Sequence, residues 1–157
     1  MLQAAAESAT ACGAQGPKLV AVTTLTSLNT DDFADLGIGR SLEAQALALG
    51  QMALASGIHG LVTSVHEARA LRDRFGAGPI LVTPGIRPAG GTAGDQKRIA
   101  TPAMAVQAGA TYLVVGRPIL EAPDPGNAAT AILLEMATAQ EPTTSPCASG
   151  RHRVRRS

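Results

Sequence analysis

The sequence predicts an α/β fold in which about four strands alternate with helices. Short apolar runs recur along the chain, segments with helical periodicity separate them, and Gly and Pro mark the turns. This alternation implies parallel strands joined by right-handed crossovers. A doubly wound sheet and a (β/α)8 barrel are both built in this way. The chain has 157 residues, whereas a complete barrel typically needs about 250, so four units would fill half of one.

The predicted strands are runs of aliphatic and β-branched residues, which suit buried parallel strands. They span residues 18–25, 58–63, 79–83 and 111–115.

The predicted helices lie between these runs and carry recognisable start signals. Ser64 and Glu67 have the S-x-x-E spacing of a capping box, and Thr101 precedes a proline at the first helical position. Thr30 with the two aspartates after it opens a short helix. The predicted helices span residues 1–12, a short segment from 30, 41–56, 64–75, 101–109 and 127–139.

The charge of the chain is unevenly distributed. The net charge is +1, but the last seven residues hold four of the 13 basic side chains and no acid. The remainder has nine basic and twelve acidic residues, a net charge of −3, so we expect no nucleic-acid partner. From Glu141 onward the composition shifts to Pro, Thr, Ser and Arg. We therefore divide the chain into an ordered domain, 1–140, and a disordered basic tail, 141–157.

Cysteine use and hydropathy indicate a cytoplasmic protein. Cys12 and Cys147 match no metal or redox spacing, so we expect reduced thiols. No apolar run approaches the roughly 18 residues of a membrane span, and the N-terminus lacks the pattern of a signal peptide. His59, His66 and His152 show no metal or triad spacing, which favours structural roles.

Two loops that follow predicted strands carry groups suited to an anion. T-P-G-I-R-P at 83–88 places Arg87 after the third strand, where a planar guanidinium can grip phosphate. G-R-P-I at 116–119 follows the fourth strand. There the backbone N–H groups of Gly116 and Arg117 can meet an anion at a helix start. Loops after the last two strands commonly form the phosphate site of a (β/α)8 barrel.

These motifs together resemble the signature of orotidine 5′-phosphate decarboxylases. The stretches that carry the resemblance are T-P-G-I-R-P, G-D-Q-K-R-I-A-T-P from 94, and A-G-A-T-Y-L-V-V-G-R-P-I-L from 108. V-A-V-T-T-L-T-S at 20–27 and H-G-L-V-T-S at 59–64 resemble the family's fifth and sixth barrel strands. The resemblance runs from about Met1 to Ala139. It implies the C-terminal half of a (β/α)8 barrel of the ribulose-phosphate-binding type.

The resemblance also implies an activity and a set of ligands. The family converts orotidine 5′-monophosphate (OMP) to uridine 5′-monophosphate (UMP) and CO₂ without a cofactor, usually as a homodimer. By this resemblance Arg87, Gln96, Gly116 and Arg117 would hold the phosphate and the neighbouring ribose. Thr26, with Ser27 beside it, would lie by the pyrimidine ring.

The catalytic part of the family pattern is absent from this sequence. Decarboxylation builds negative charge on a ring carbon, which needs a preorganised ammonium nearby. The family supplies it with D-x-K-x-x-D on an early strand. The chain has only two lysines, Lys18 and Lys97, and neither stands in such a motif. We therefore predict no catalytic residue here, and expect a chain that starts mid-barrel because of a truncated gene or gene model.

Two other interpretations are open. The chain could be a non-catalytic half-barrel that binds nucleotide phosphate. It could also belong to another phosphate-binding barrel, such as a sugar-phosphate epimerase or a 3-keto-gulonate phosphate decarboxylase relative. D-Q-K-R followed by T-P resembles the orotidine branch and argues against the last of these.

Overall fold

A computed structural model, which describes residues 1–88 and 100–140, contains one four-stranded parallel sheet. The strands follow one another in sequence order, β1-β2-β3-β4, and every neighbouring pair is parallel. The strands are β1 (Val20–Val22), β2 (Gly60–Val62), β3 (Ile80–Thr83) and β4 (Tyr112–Leu113).

Seven α-helices flank the strands in the described ranges, and most of them connect one strand to the next. They are α1 (Leu2–Ala11), α2 (Thr30–Asp35), α3 (Leu42–Ala55), α4 (Val65–Phe75), α5 (Pro102–Gln107), α6 (Arg117–Leu120) and α7 (Pro125–Gln140). A short 3-10 helix, Gly13–Gln15, follows α1.

The helix-facing side of the sheet is the core of the molecule. Leu61 and Leu81 are register partners and almost fully buried. They pack in one cluster with Ala53 of α3 and Leu71 of α4. A second cluster joins the start of α4 and α5 around Ile86. Side chains alternate between the two faces of a strand, so the neighbours of these leucines point away from the helices.

The strand order distinguishes between the doubly wound sheet and the (β/α)8 barrel, both of which the alternation of strands and helices allowed. In a doubly wound sheet the order reverses, whereas here each strand is added on the same side of the one before. Right-handed crossovers added in one direction place all their helices on one face. This is the arrangement of consecutive units in a (β/α)8 barrel, so the predicted partial barrel of about four βα units is confirmed.

The predicted elements all occur, but some boundaries differ. β1, β2 and β4 are three, three and two residues long, all shorter than predicted. β1 and β4 lie at an edge of the sheet where only one neighbour supplies hydrogen bonds, whereas β2 has a neighbour on each side. Helix α2 is capped by Asn29, which forms a reciprocal capping box with Asp32. The predicted start of this helix at Thr30 is confirmed, and Asn29 is a cap that the sequence analysis did not single out.

Two side chains hold the elements together at a distance in sequence. His59 Nδ1 accepts a hydrogen bond of 3.0 Å from Leu19 N, which ties the segments that precede β1 and β2 and gives His59 a structural role. Glu135 Oε1 in α7 accepts a 3.1 Å bond from Ala103 N in the first turn of α5. The last helix therefore caps the helix of the preceding unit.

Candidate functional site

Three of the predicted site residues lie just after the carboxyl ends of strands, on the same side of the sheet. Thr26 follows the last residue of β1 by four positions, Arg87 follows that of β3 by four, and Arg117 follows that of β4 by four. Because the strands are parallel, their carboxyl ends meet at one edge, which is where (β/α)8 barrels carry their sites. The structure thus places all three residues on the loops of one sheet edge.

The loop that follows β3 and carries Arg87 is fixed to the chain at Ala100 by a bridge and a hydrogen bond. Gly85 has φ 79°, a left-handed conformation that favours glycine, and Ile86 forms a parallel bridge with Ala100. Arg87 N donates to Ala100 O at 2.9 Å, and its Nη1 donates to Ile86 O at 2.8 Å. Arg87 is only 8 % exposed. The guanidinium is thus buried and bonded to the carbonyl of the preceding residue, so it is positioned before any ligand arrives.

The second arginine lies on a more open loop. Gly116 is the N-cap of α6 and has no side chain to cap the helix, and Arg117 is the first residue of this four-residue helix. A Cβ built on Gly116 would meet no atom within 4 Å. Both residues are exposed. Because α6 is so short, its N–H groups act as individual donors, and little helix dipole adds to them.

Thr26 lies in the turn after β1 and is 7 % exposed. Thr24, two residues earlier, is 5 % exposed, and its hydroxyl has no hydrogen-bond partner within the described ranges. The end of β1 therefore brings buried hydroxyl groups to the same edge as the two arginines.

A polar group at the end of β2 was assigned only a capping role by the sequence. Ser64 Oγ donates to Glu67 Oε2 at 2.6 Å and accepts from His66 N at 3.1 Å. Ser64 and Glu67 are 1 % and 4 % exposed. The spacing was read correctly, but the two side chains bond directly to each other, which S-x-x-E alone does not reveal. This pair lies between the Thr26 and Arg87 loops in strand order.

Some predicted residues lie outside this site or outside the described residues. Gln96, Lys97, Cys147 and His152 are not among residues 1–88 and 100–140. Lys18 precedes β1 and is exposed at the opposite edge of the sheet. An open groove of about 510 Å³ runs between α1 and the end of α3, away from the loops described above.

The described residues contain neither a metal-binding cluster nor a membrane-spanning helix. Residues 1–88 and 100–140 contain no group of three His, Cys, Asp or Glu side chains placed to hold a metal ion. Within the same ranges no helix is long and apolar enough to cross a bilayer.

The fold and these loops define a partial (β/α)8 barrel with arginine-bearing loops after its last two strands. The family model for the orotidine 5′-phosphate decarboxylase / HUMPS family matches residues 1–132. The chain therefore belongs to this family, as the sequence motifs indicated.

Individual relatives agree with this assignment. The chain is 52 % identical over 135 residues to the orotidine 5′-phosphate decarboxylase of Gluconobacter oxydans, a match that covers 86 % of this chain and 57 % of the relative. It is 54 % identical over 127 residues to that of Rhodopseudomonas palustris strain BisB5, covering 81 % and 54 %. The chain thus spans little more than half the length of these relatives.

Solved structures of the same fold also match over only part of their length. The crystal structure of orotidine 5′-phosphate decarboxylase from Lactobacillus acidophilus superposes with a TM-score of 0.71 at 37 % identity, covering 87 % of this chain and 58 % of that one. The Pyrococcus horikoshii enzyme has a TM-score of 0.53 at 23 % identity, with 87 % and 69 % covered, and shows likeness of fold alone.

Proposed function

We propose that this chain supplies the phosphate-binding half of an orotidine 5′-phosphate decarboxylase, which converts OMP to UMP and CO₂. The observation that carries the proposal is the pair of arginines at one sheet edge. Arg87 is buried and donates to the carbonyl of Ile86, and Arg117 begins the short helix that follows the next strand. Two guanidinium groups after neighbouring strands suit a phosphate, which accepts bidentate hydrogen bonds from arginine.

The spacing of the sheet supports a nucleotide ligand. β1 and β4 are three strand gaps apart, which corresponds to about 14 Å at the usual spacing of parallel strands. An elongated ligand with a phosphate at one end and a ring at the other suits this separation. We propose that Arg87, Gln96, Gly116 and Arg117 bind the phosphate and ribose end, and that Thr26 contacts the pyrimidine.

Phosphate binding alone does not perform the reaction. Binding energy from a remote phosphate accelerates a reaction only when it supports groups at the reacting carbon. This sequence contains no D-x-K-x-x-D, so it carries no preorganised ammonium for the developing negative charge. We propose that the chain alone is inactive, and that the Lys and Asp groups belong to the half of the barrel that it lacks.

The remaining features of the proposal concern organisation. We propose that residues 1–140 form the half-barrel and that 141–157 form a disordered basic tail. The complete enzyme would be a cytoplasmic homodimer that needs no cofactor.

UMP binding tests the site. We expect calorimetry to detect weak binding of UMP to the wild-type chain. Arg117→Ala should weaken it about 10- to 100-fold, since a hydrogen bond to a charged group contributes about 1.5–3 kcal/mol. Arg69→Ala is the matched control, because Arg69 is an exposed arginine on α4 whose ion pair is with Asp73. Equal UMP affinity in the wild type and Arg117→Ala would remove the site assignment.

The absence of the motif favours a second candidate, a non-catalytic module that binds nucleotide phosphate. The two candidates differ when the missing half is supplied. A half-length chain with D-x-K-x-x-D, taken from a full-length relative, should restore OMP decarboxylation when it is mixed with this chain. UMP binding without any restored turnover would favour the non-catalytic module. Turnover of OMP by this chain alone would contradict both.

A further inference from the structure

The face of the sheet that points away from the helices is apolar and largely uncovered. Val22, Val62, Val82 and Tyr112 are register partners across all four strands. They alternate with the buried leucines of the core and therefore lie on the opposite face. Val22 is 57 % exposed and Tyr112 is 60 % exposed. In a closed barrel this row would be part of the packed interior.

Both edges of the sheet are open as well. In the described ranges β1 pairs only with β2, and β4 pairs only with β3. Open edges offer rows of unpaired backbone groups to another strand. The apolar surface continues beside the β4 edge, because Val114 is 51 % exposed and Leu120 is 78 % exposed. Helix α7 packs on α5 and α6 and exposes Leu133 and Leu134, each at 63 %.

We propose that this surface is covered by a second copy of the same chain, and that two half-barrels close into one eight-stranded barrel around a two-fold axis. Four parallel strands are half of the eight that close a (β/α)8 barrel. A two-fold axis along the barrel keeps all eight strands parallel. It also pairs β4 of each copy with β1 of the other.

The choice of a second copy follows from this geometry. A helix or a single strand from another protein would cover the apolar face but leave an edge unpaired. The half of the barrel proposed above to carry the Lys and Asp groups would cover the face and pair both edges. Where only this chain is present, a second copy satisfies both edges and covers the face at once, and closed two-fold symmetry is the commonest form of self-association. The net charge of +1 gives two copies little reason to repel each other. This dimer lies within one barrel, whereas the dimer proposed for the complete enzyme joins two barrels.

Sedimentation of the full chain tests the proposal. We expect a species of twice the 15.9 kDa chain mass that does not grow further at higher concentration. Val22→Lys should weaken dimerisation about 100-fold, because it buries an unpaired ammonium in the closed barrel. The side chain is exposed in the single copy, so the variant should keep its circular dichroism. Met52→Lys is the matched control, because Met52 is 61 % exposed on the outer helix α3.

Cross-linking tests which edges meet. In a background with Cys12→Ser and Cys147→Ser, a chain with Val22→Cys is mixed with a chain with Val114→Cys and a short bifunctional maleimide. We expect cross-links between the β1-edge and β4-edge cysteines, because these two strands are neighbours in the closed barrel. A wild-type monomer, a series of species larger than two copies, a Val22→Lys dimer as tight as the wild type, or a mixture without β1–β4 cross-links would each overturn the proposal.

Discussion

Arg72 and Thr111 are joined by a hydrogen bond of 2.9 Å from Nη2 to Oγ1. The same hydroxyl oxygen accepts from Leu81 N at 3.0 Å. Arg72 also donates through Nε to Gly109 O at 2.8 Å and through Nη1 to Pro79 O at 2.7 Å. One guanidinium on α4 thus fastens the chain where it enters β3 and β4. Burial lowers the pKa of Arg72, but arginine remains charged at neutral pH.

This relationship predicts that Arg72→Ala destabilises the fold by about 2 kcal/mol, because partly buried carbonyl groups lose a charged donor. Arg72→Lys keeps the charge but not the planar fork, so its loss should be smaller than that of the alanine. Urea denaturation at one fixed protein concentration measures the free energy of unfolding. Arg69→Ala removes only the surface ion pair with Asp73 and should change stability by under about 1 kcal/mol. Equal effects at positions 69 and 72 would contradict the fastening role.

Two buried threonines predict opposite effects of the same substitution. Thr63 and Thr83 are 1 % and 0 % exposed. The Thr63 hydroxyl has no hydrogen-bond partner in the described ranges, whereas the Thr83 hydroxyl donates to Tyr112 O at 3.3 Å. Thr63→Val should stabilise the chain by about 1 kcal/mol, and Thr83→Val should destabilise it by a similar amount.

Thermal and urea unfolding of both variants measure this difference, and each variant is the control for the other. If both substitutions shifted stability in the same direction, the hydrogen-bond assignment at one of the two positions would be wrong.

The capping box of α2 predicts a cost at Asn29. Its side chain accepts from Asp32 N at 2.9 Å, and Asp32 Oδ2 accepts from Asn29 N at 2.7 Å. Asn29→Ala should therefore lower the free energy of unfolding by about 1 kcal/mol. Thr30→Ala is the neighbouring control and should be near neutral, since Thr30 is exposed and lies inside the helix. A larger loss at Thr30 than at Asn29 would contradict the assignment of Asn29 as the cap.

Because β2 and β3 pack closely at Gly60, substitution of this glycine should lower the free energy of unfolding more than Asn29→Ala does. A Cβ at this position would collide with the carbonyl oxygen of Ile80 and lie 2.6 Å from Ile80 Cβ. β2 and β3 would have to separate, so Gly60→Ala should destabilise the chain by about 3 kcal/mol. At Gly39 an added Cβ meets no atom within 4 Å, and Gly39→Ala should be tolerated. Comparable stability of the two variants in urea would contradict the close approach of the strands.

Sequence reasoning predicted the element order because apolar runs and start signals are local features. It did not predict strand length. The runs at 18–25, 58–63 and 111–115 give strands of three, three and two residues, at the sheet edges and inside the sheet alike, because an apolar run does not record where pairing with a neighbour begins and ends. The inner strand β3, predicted at 79–83, begins at Ile80 and ends at Thr83.

Sequence reasoning could predict the position of a single arginine on a loop. It could not predict which side chains would form hydrogen bonds with each other. Arg87 and Arg117 lie on the predicted loops, although their role as phosphate ligands remains a prediction. The Ser64–Glu67 bond depends on burial, and so do the hydroxyls of Thr24 and Thr63, which have no partner among residues 1–88 and 100–140. Burial is decided by how α4 and the loops pack, which no short pattern records.

The bond between Glu135 and Ala103 has a practical consequence for where this domain ends. The family match stops at residue 132, three positions before the carboxylate that caps α5. A chain cut where the family model stops matching would leave an N–H of the first turn of α5 without its acceptor. It would also lose the second half of the helix that packs on α5 and α6. The packing of this fold therefore depends on residues beyond the end of the family-model match.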